Sequence, residues 1–278
     1  MSDILFISDF YAEHVNGGAE NNDSVLVRHL SKSHNVTLAL SHQTEPNTVE
    51  GYDLIIVSNF VFLPPLTKTK IEKTRYVIYE HDHKYAANRD PSVYPDFIIP
   101  EEKKVNVSFY ENALSVVVLS KICKEVLEKN VPRASVHSIG CSLWSEEAFL
   151  AIRQMQSTKK ESEYCILKSG NPIKRTSHAI EYCEKNKITP VALGETDYKT
   201  FLCNMSKCRR LIFLPAVLET FSRVCAEAKM LNLSLTTTPK KLGFASEDIF
   251  DLSGAELVGV LEHRTAKALS YFDSLVET

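Results

Sequence analysis

Residues 210–231 read Arg210-Leu211-Ile212-Phe213-Leu214-Pro215-Ala216-Val217-Leu218-Glu219-Thr220-Phe221-Ser222-Arg223-Val224-Cys225-Ala226-Glu227-Ala228-Lys229-Met230-Leu231. A short apolar run ends at Pro215. A loop then carries Glu219, and a helical pattern follows from Phe221 to Leu231. Strand, loop and helix in that order make one βα unit, the building block of a parallel sheet.

The same rhythm extends outward in both directions. Toward the N-terminus, apolar runs at 4–8, 36–40, 53–57, 75–79, 114–119 and 135–139 alternate with helical patterns, including 25–30 and 121–130. The rhythm breaks over 142–163, which holds Trp144, a helical pattern around 146–155 and a polar run at 156–162. It restarts with strands at 164–167, 190–193, 210–214 and 233–237, and with helices at 177–186, 198–205 and 221–231. The tail at 257–276 reads as one or two helices. The strands are almost uniformly apolar, as expected where both faces are covered. The expected class is α/β, with two Rossmann-like parallel-sheet domains facing each other across a cleft. Their expected bounds are 1–145 and 146–260, with a C-terminal helix over 261–278 packing back toward the first.

The chain has 278 residues, 44% hydrophobic and 24% charged, which fits a globular protein and excludes disordered, collagen-like and coiled-coil classes. A formal charge of −3 argues against nucleic-acid binding by bulk charge, while leaving room for a local basic face. The seven cysteines are odd in number and mostly single within apolar runs, so reduced thiols in a cytoplasmic protein are expected. The start of the chain lacks the pattern of a secretory signal, and no apolar run reaches the ~18 residues of a membrane span.

The chemistry concentrates where strands give way to loops. A helix beginning near Phe221 would aim the amides of Phe221, Ser222 and Arg223 at an anion or a hydroxyl. Glu219, at the carboxyl end of a strand, can accept two hydroxyl protons, as sugar recognition requires. Glu227 lies two turns on, in reach of vicinal ribose hydroxyls. The plainer alternative makes Glu219 a helix-terminal acid and Glu227 a solvated one. Lys168-Ser169-Gly170-Asn171-Pro172-Ile173-Lys174-Arg175 closes the strand at 164–167 and offers either cations for a diphosphate or a solvated basic turn. Gly17-Gly18-Ala19-Glu20 follows the first strand, where glycine lets backbone approach a ligand. Tyr79-Glu80-His81-Asp82-His83-Lys84-Tyr85 follows the fourth. Its His-x-His spacing lacks a third ligand, so no metal is assigned. Cys203 and Cys208 likewise lack a second ligand pair.

The segment Glu219-x7-Glu227, with Thr220-Phe221-Ser222 and Ala228, resembles the donor-site motif of retaining GT-B glycosyltransferases of the group 1, or family 4, type. Leu214-Pro215 and Thr236-Thr237-Thr238-Pro239 are similar to the same family. The resemblance implies that Glu219 binds donor-sugar hydroxyls, that Thr220, Phe221, Ser222 and Arg223 hold sugar and phosphates, and that Glu227 holds the ribose. The base is implied to lie near Gly194-Glu195. Lys174 matches a diphosphate-neutralising lysine. Asn171 replaces the family's arginine, and Arg175 stands where a glycine is usual and is a substitute cation. Gly17 and Gly18 match the loop between acceptor and donor phosphate. His81 and Asp82 match the residues facing donor sugar and acceptor, with His83, Lys84 and Arg89 beside them.

The expectation is therefore a metal-independent retaining glycosyltransferase with His81, Asp82 and Glu219 as catalytic residues. Its substrate would be a nucleoside-diphosphate sugar, a UDP-sugar in the first instance, with no separate cofactor. Glu80 to Lys84, Arg89-Asp90-Pro91 and Tyr94-Pro95-Asp96-Phe97 loosely resemble small glycosyltransferases of tailed phages. That resemblance implies 5-hydroxymethylcytosine in double-stranded DNA as acceptor, with Lys68, Lys70, Lys73, Arg75, Lys84, Arg89, Lys103 and Lys104 as a basic face. The alternatives are a cell-surface glycan or lipid acceptor, and a non-catalytic nucleotide-sugar-binding protein.

Overall fold

The computed structural model describes residues 1–13, 15, 17–194 and 196–277. The chain divides into two compact units. The first spans Met1–Trp144 and includes the chain from Arg264 on; the second is Ser145–His263.

In the first unit, β1 (Asp3–Ser8), β2 (Asn35–Leu40), β3 (Leu54–Val57), β4 (Tyr76–Tyr79), β5 (Ser115–Val118) and β6 (Val136–Ser138) form one sheet. Their order is β2-β1-β3-β4-β5-β6, and each neighbouring pair is parallel. The connecting helices are α1 (Gly18–Leu30), α2 (Pro65–Ile71), α3 (Val107–Glu111) and α4 (Lys121–Asn130). Every residue of β3, β4 and β5 is buried, as their unbroken apolar runs predict. The edge strand β2 departs from that expectation. Leu38 is exposed there, and no residue of the strand is fully buried, because an edge has a neighbour on one side only.

The second unit opens with α5 (Glu146–Met155), capped by the Ser145 hydroxyl accepting from the Ala148 amide at 3.2 Å. It continues through β7 (Ser162–Leu167), α6 (Thr176–Lys185), β8 (Val191–Leu193), α7 (Tyr198–Ser206), β9 (Cys208–Phe213), α8 (Arg223–Met230) and β10 (Ser234–Thr237). Its parallel order is β10-β9-β7-β8, with Cys165 opposite Leu211 and Ile166 opposite Ile212. Cys165, Cys183, Cys208 and Cys225 are buried free thiols in this unit.

A single helix, α9 (Gly254–Glu277), ends the chain. Its last turns are held within the first unit. Arg75 donates to the Leu275 and Val276 carbonyls, satisfying terminal acceptors that the helix itself leaves unpaired. His29 meets Asp273 at 2.9 Å, and the Phe272 ring lies 5.1 Å from that of Tyr79. Among the described residues, no helix is long and apolar enough to cross a membrane.

Both strand orders contain a reversal. The chain leaves β1 for β2 on one side and returns to β3 on the other; in the second unit, β7 and β9 flank the same kind of switch. Loops on either side of a switch diverge, and the crevice at the carboxyl ends of the strands is where open α/β sheets bind ligands. The candidate residues lie around these two reversals.

Candidate functional site

In the second unit the loop after β7 carries Lys174, and the loop after β9 carries Glu219. They meet at the switch: Lys174 Nζ donates to both Glu219 oxygens, at 2.9 and 3.0 Å. Glu219 is 9% exposed, so its carboxylate is desolvated and needs this partner. The Lys174 ammonium also stands 5.8 Å from the centre of the Phe213 ring. The Glu219 backbone is fastened at both ends, its amide to Lys241 at 3.0 Å and its carbonyl to the Gly243 amide at 2.8 Å. The side chain is thus presented from a fixed loop.

Here one expectation is corrected. The helix begins at Arg223, not Phe221. Phe221 is a core anchor whose buried ring sits 5.2 Å from Phe244, and its carbonyl accepts the Phe244 amide at 2.9 Å. To turn from that anchor into the helix, Ser222 adopts φ 75°, a left-handed conformation costly for a residue with a side chain. Thr220 is partly buried on the same loop. Arg175 plays the matching part after β7, with φ 47° immediately before α6. The switch is therefore bordered by the amino ends of α6 and α8, the positive ends of their helix dipoles. Asn171, which stands in place of the expected arginine, accepts from the Ile173 amide at 3.0 Å and so shapes the turn that delivers Lys174.

Glu227 is not solvated. It is 3% exposed, accepts from the Tyr198 hydroxyl at 2.7 Å and lies 3.4 Å from Arg223. Burial, then the Glu227 charge, raises the Tyr198 hydroxyl above its ordinary range, so it stays a donor. Tyr198 was not anticipated from sequence. Of the segment expected near the base, Glu195 lies outside the described residues.

In the first unit, the polar residues around the switch are buried. Asp23 is 0% exposed; it accepts from the Ser58 hydroxyl at 2.7 Å and the Ser8 hydroxyl at 3.1 Å, and His81 Nε2 lies 3.2 Å away. Glu20, one turn earlier on α1, has its carboxyl raised by burial and by the nearby charge of Asp23, with His81 opposing. Gly17 precedes α1, and a Cβ there would lie 2.1 Å from a Glu20 oxygen. Gly18 is the first residue of the helix. Asp82 pairs with Arg89 at 2.8 Å and lies 3.7 Å from Lys84. His83 adopts φ 57° and its Nδ1 meets the Tyr85 hydroxyl at 3.0 Å. Among the described residues, no three His, Cys, Asp or Glu side chains converge as metal ligands.

Glu80 and Lys84 form a buried pair at 2.8 Å. The Asp82 amide and the Tyr110 hydroxyl also donate to Glu80. Burial opposes ionisation, but Lys84, Tyr110 and the amide outweigh it and hold the carboxyl at about 2. Lys84 is therefore a loop anchor and no part of a basic face. Several other members of that expected face are engaged: Lys70 with Glu50, Arg89 with Asp82, Lys104 with Glu101, Lys68 with Asn106, and Arg75 with the end of α9. Cys208 neighbours Cys165 rather than forming a site with Cys203.

No family profile and no curated protein matches the sequence. Solved structures do resemble the fold. Anabaena Alr3699/HepE in complex with UDP and glucose matches 98% of this chain and 100% of its own, with a TM-score of 0.57 and 13% identity. Alr3699/HepE in complex with UDP-glucose gives 0.54 at 13% identity, over 98% of this chain and 100% of that one. An alpha-glucosyltransferase in complex with UDP and a 13-mer DNA containing a HMU base matches 99% of this chain and 93% of its own, with a TM-score of 0.50 and 11% identity. The architecture is the α/β GT-B fold, with two parallel-sheet domains.

Proposed function

We propose that this chain is a retaining glycosyltransferase that takes its sugar from a UDP-sugar bound at the switch of the second unit. The observation that carries the reading is the Lys174–Glu219 pair at the switch, with the buried Glu227 further along the chain held by Arg223 and Tyr198. In this reading Glu219 accepts hydroxyls of the donor sugar and Glu227 holds the ribose. Lys174 and Arg175 offset the charge of the departing diphosphate, and the amides from Thr220 to Arg223 assist. His81 and Asp82 face the acceptor side, with Gly17 and Gly18 allowing close backbone approach. Fixed cations at the leaving group make an added metal unnecessary, so the rate is expected to survive a chelator unchanged.

For the acceptor, we propose hydroxymethylated pyrimidine in double-stranded DNA, in line with the alpha-glucosyltransferase bound to DNA containing a HMU base. So many lysines and arginines of the first unit are already paired that recognition would rest on local contacts more than on attraction to phosphate. The buried free thiols suit a reducing compartment, and we place the reaction in the cytoplasm.

The test is a product assay by mass spectrometry. The protein is incubated with UDP-, GDP- and ADP-sugars and duplex DNA containing 5-hydroxymethylcytosine, and the digested nucleosides are weighed. A hexose or pentose increment supports the whole reading. Donor hydrolysis without an increment keeps the donor reading and moves the acceptor to glycan or lipid. Neither product leaves a nucleotide-sugar-binding protein. Within an active enzyme, Glu227→Gln is expected to raise the donor KM about tenfold with kcat nearly unchanged, the signature of lost ground-state binding.

A further inference from the structure

We infer that Phe62, backed by Phe10, is an apolar wedge that stacks against a nucleobase of the acceptor duplex. The identity of that occupant rests on the proposed hydroxymethylated DNA acceptor.

Phe62 stands at the tip of a tight turn after β3. Phe60 and Leu63 are both buried and anchor the two sides of the turn, and the Leu63 amide donates to the Phe60 carbonyl at 3.3 Å. The tip is fastened by the buried carboxylate of Asp9, just after β1, which accepts the Val61 and Phe62 amides at 2.9 and 3.2 Å. The Ser41 hydroxyl, just after β2, donates to the same carboxylate. The loops after β1, β2 and β3 are thus tied together, and what they hold out is apolar. Phe10, Val61 and Phe62 are 41%, 43% and 54% exposed. The Phe10 and Phe62 rings meet edge to face, with centres 6.1 Å apart and planes at 84°. Such a contact uses the face of only one of the two rings. Single exposed apolar residues are ordinary, but a contiguous aromatic pair held rigidly beside a switch marks a binding surface. Charge selects the occupant. The cations that follow on α2, Lys68 and Lys70, are engaged by Asn106 and Glu50. The patch is therefore offered to an uncharged ring face rather than to a phosphate or an anionic lipid headgroup. A nucleobase supplies such a face, and an enzyme working on a base within a duplex must first unpair and unstack it. Apolar side chains inserted at base steps, and aromatic rings stacked on bases, offset that loss whatever the sequence.

The test measures binding of the full chain to a fluorescein-labelled duplex carrying one 5-hydroxymethylcytosine, by fluorescence anisotropy. Wild type, Phe62→Ala and Phe62→Trp are compared, with a thermal melt to establish that each is folded. Phe62→Ala is expected to raise Kd about tenfold, within the range of one base–aromatic stack, and Phe62→Trp to restore binding to within about threefold. The slope of log Kd against log salt should be the same for wild type and Phe62→Ala, since no cation is removed. With the modified base in a mismatch, where unpairing costs least, the Phe62→Ala deficit should shrink to about twofold. A Phe62→Ala protein that binds the matched duplex within about twofold of wild type overturns the wedge, as does an equal deficit on matched and mismatched duplexes. Binding to phosphatidylcholine vesicles, or self-association, that depends on Phe62 while duplex binding does not also overturns it, by assigning the patch another occupant. A wild type that hydrolyses UDP-glucose but binds no duplex overturns the wedge and the DNA acceptor together, and leaves the donor reading standing. Phe62-dependent duplex binding by a wild type inactive toward every donor supports the wedge and defeats the proposed transferase instead.

Discussion

Glu219→Ala is expected to reduce sugar transfer about 10³-fold while leaving the protein folded. The carboxylate is placed to accept two hydroxyls, and each charge-assisted bond contributes about 1.5–3 kcal/mol. Losing both removes roughly 4 kcal/mol, which is about three orders of magnitude in rate if the bonds tighten in the transition state. The fold should survive because the Glu219 loop is held by its backbone, through Lys241 and Gly243, and by Phe221 in the core. Lys174 is left without its carboxylate but is partly solvated, with 31% of its side chain exposed. Glu219→Gln separates charge from shape, since its amide group would face the Lys174 ammonium and transfer should fall nearly as far. The check is initial-rate UDP release alongside a thermal melt. A variant within threefold of wild-type kcat/KM, with an unchanged melt, rules out Glu219 as the donor-sugar ligand.

Much of the architecture was legible because buried parallel strands leave a plain mark. Runs such as Leu54-Ile55-Ile56-Val57 have little choice but to lie in a covered sheet. Glu219 and Lys174 were legible as residues at strand ends, but their mutual contact depends on the reversal between β7 and β9, which no local pattern encodes. The start of α8 was misplaced because Phe221 fits a helical pattern, and only the core contact with Phe244 shows why the turn delays to Ser222. Asp23 escaped notice for a related reason. Glu20, Asn22 and Asp23 look like the solvated first turns of a helix, yet all three are buried; the convergence of β1, β3 and β4 supplies the partners of Asp23, and the chain at Ser142 and Leu143 supplies those of Asn22. Spacing did hold a hint, since Glu20 and Asp23 share a helical face three residues apart. The expected basic face loses Lys84 because formal charge says nothing of pairing: Lys84 counts as a cation in the sequence and is buried against Glu80 in the fold.

That buried pair yields the second large effect, on stability rather than rate. Glu80 and Lys84 are 1% and 3% exposed and bracket the loop carrying His81 and Asp82. Removing one partner leaves the other charged and desolvated, so Glu80→Gln and Lys84→Met should each cost about 3–5 kcal/mol. The double variant should recover part of that loss, because it leaves no unpaired charge. The pair also makes stability depend on pH. The Glu80 carboxyl falls from 4.5 to about 2 on folding, so its contribution is present in full above 4.5 and is lost as pH drops toward 2. A shift of that size is worth about 3 kcal/mol. Urea unfolding of the wild type between pH 7 and pH 2.5 should therefore show a steep acid loss, and Glu80→Gln, already weakened at neutral pH, should show a shallower one. Equal slopes for the two proteins would mean that other carboxylates set the acid limit and that the Glu80–Lys84 pair holds the loop by shape alone. A shallower slope in Glu80→Gln would tie the electrostatics of this one pair to the loop that presents His81.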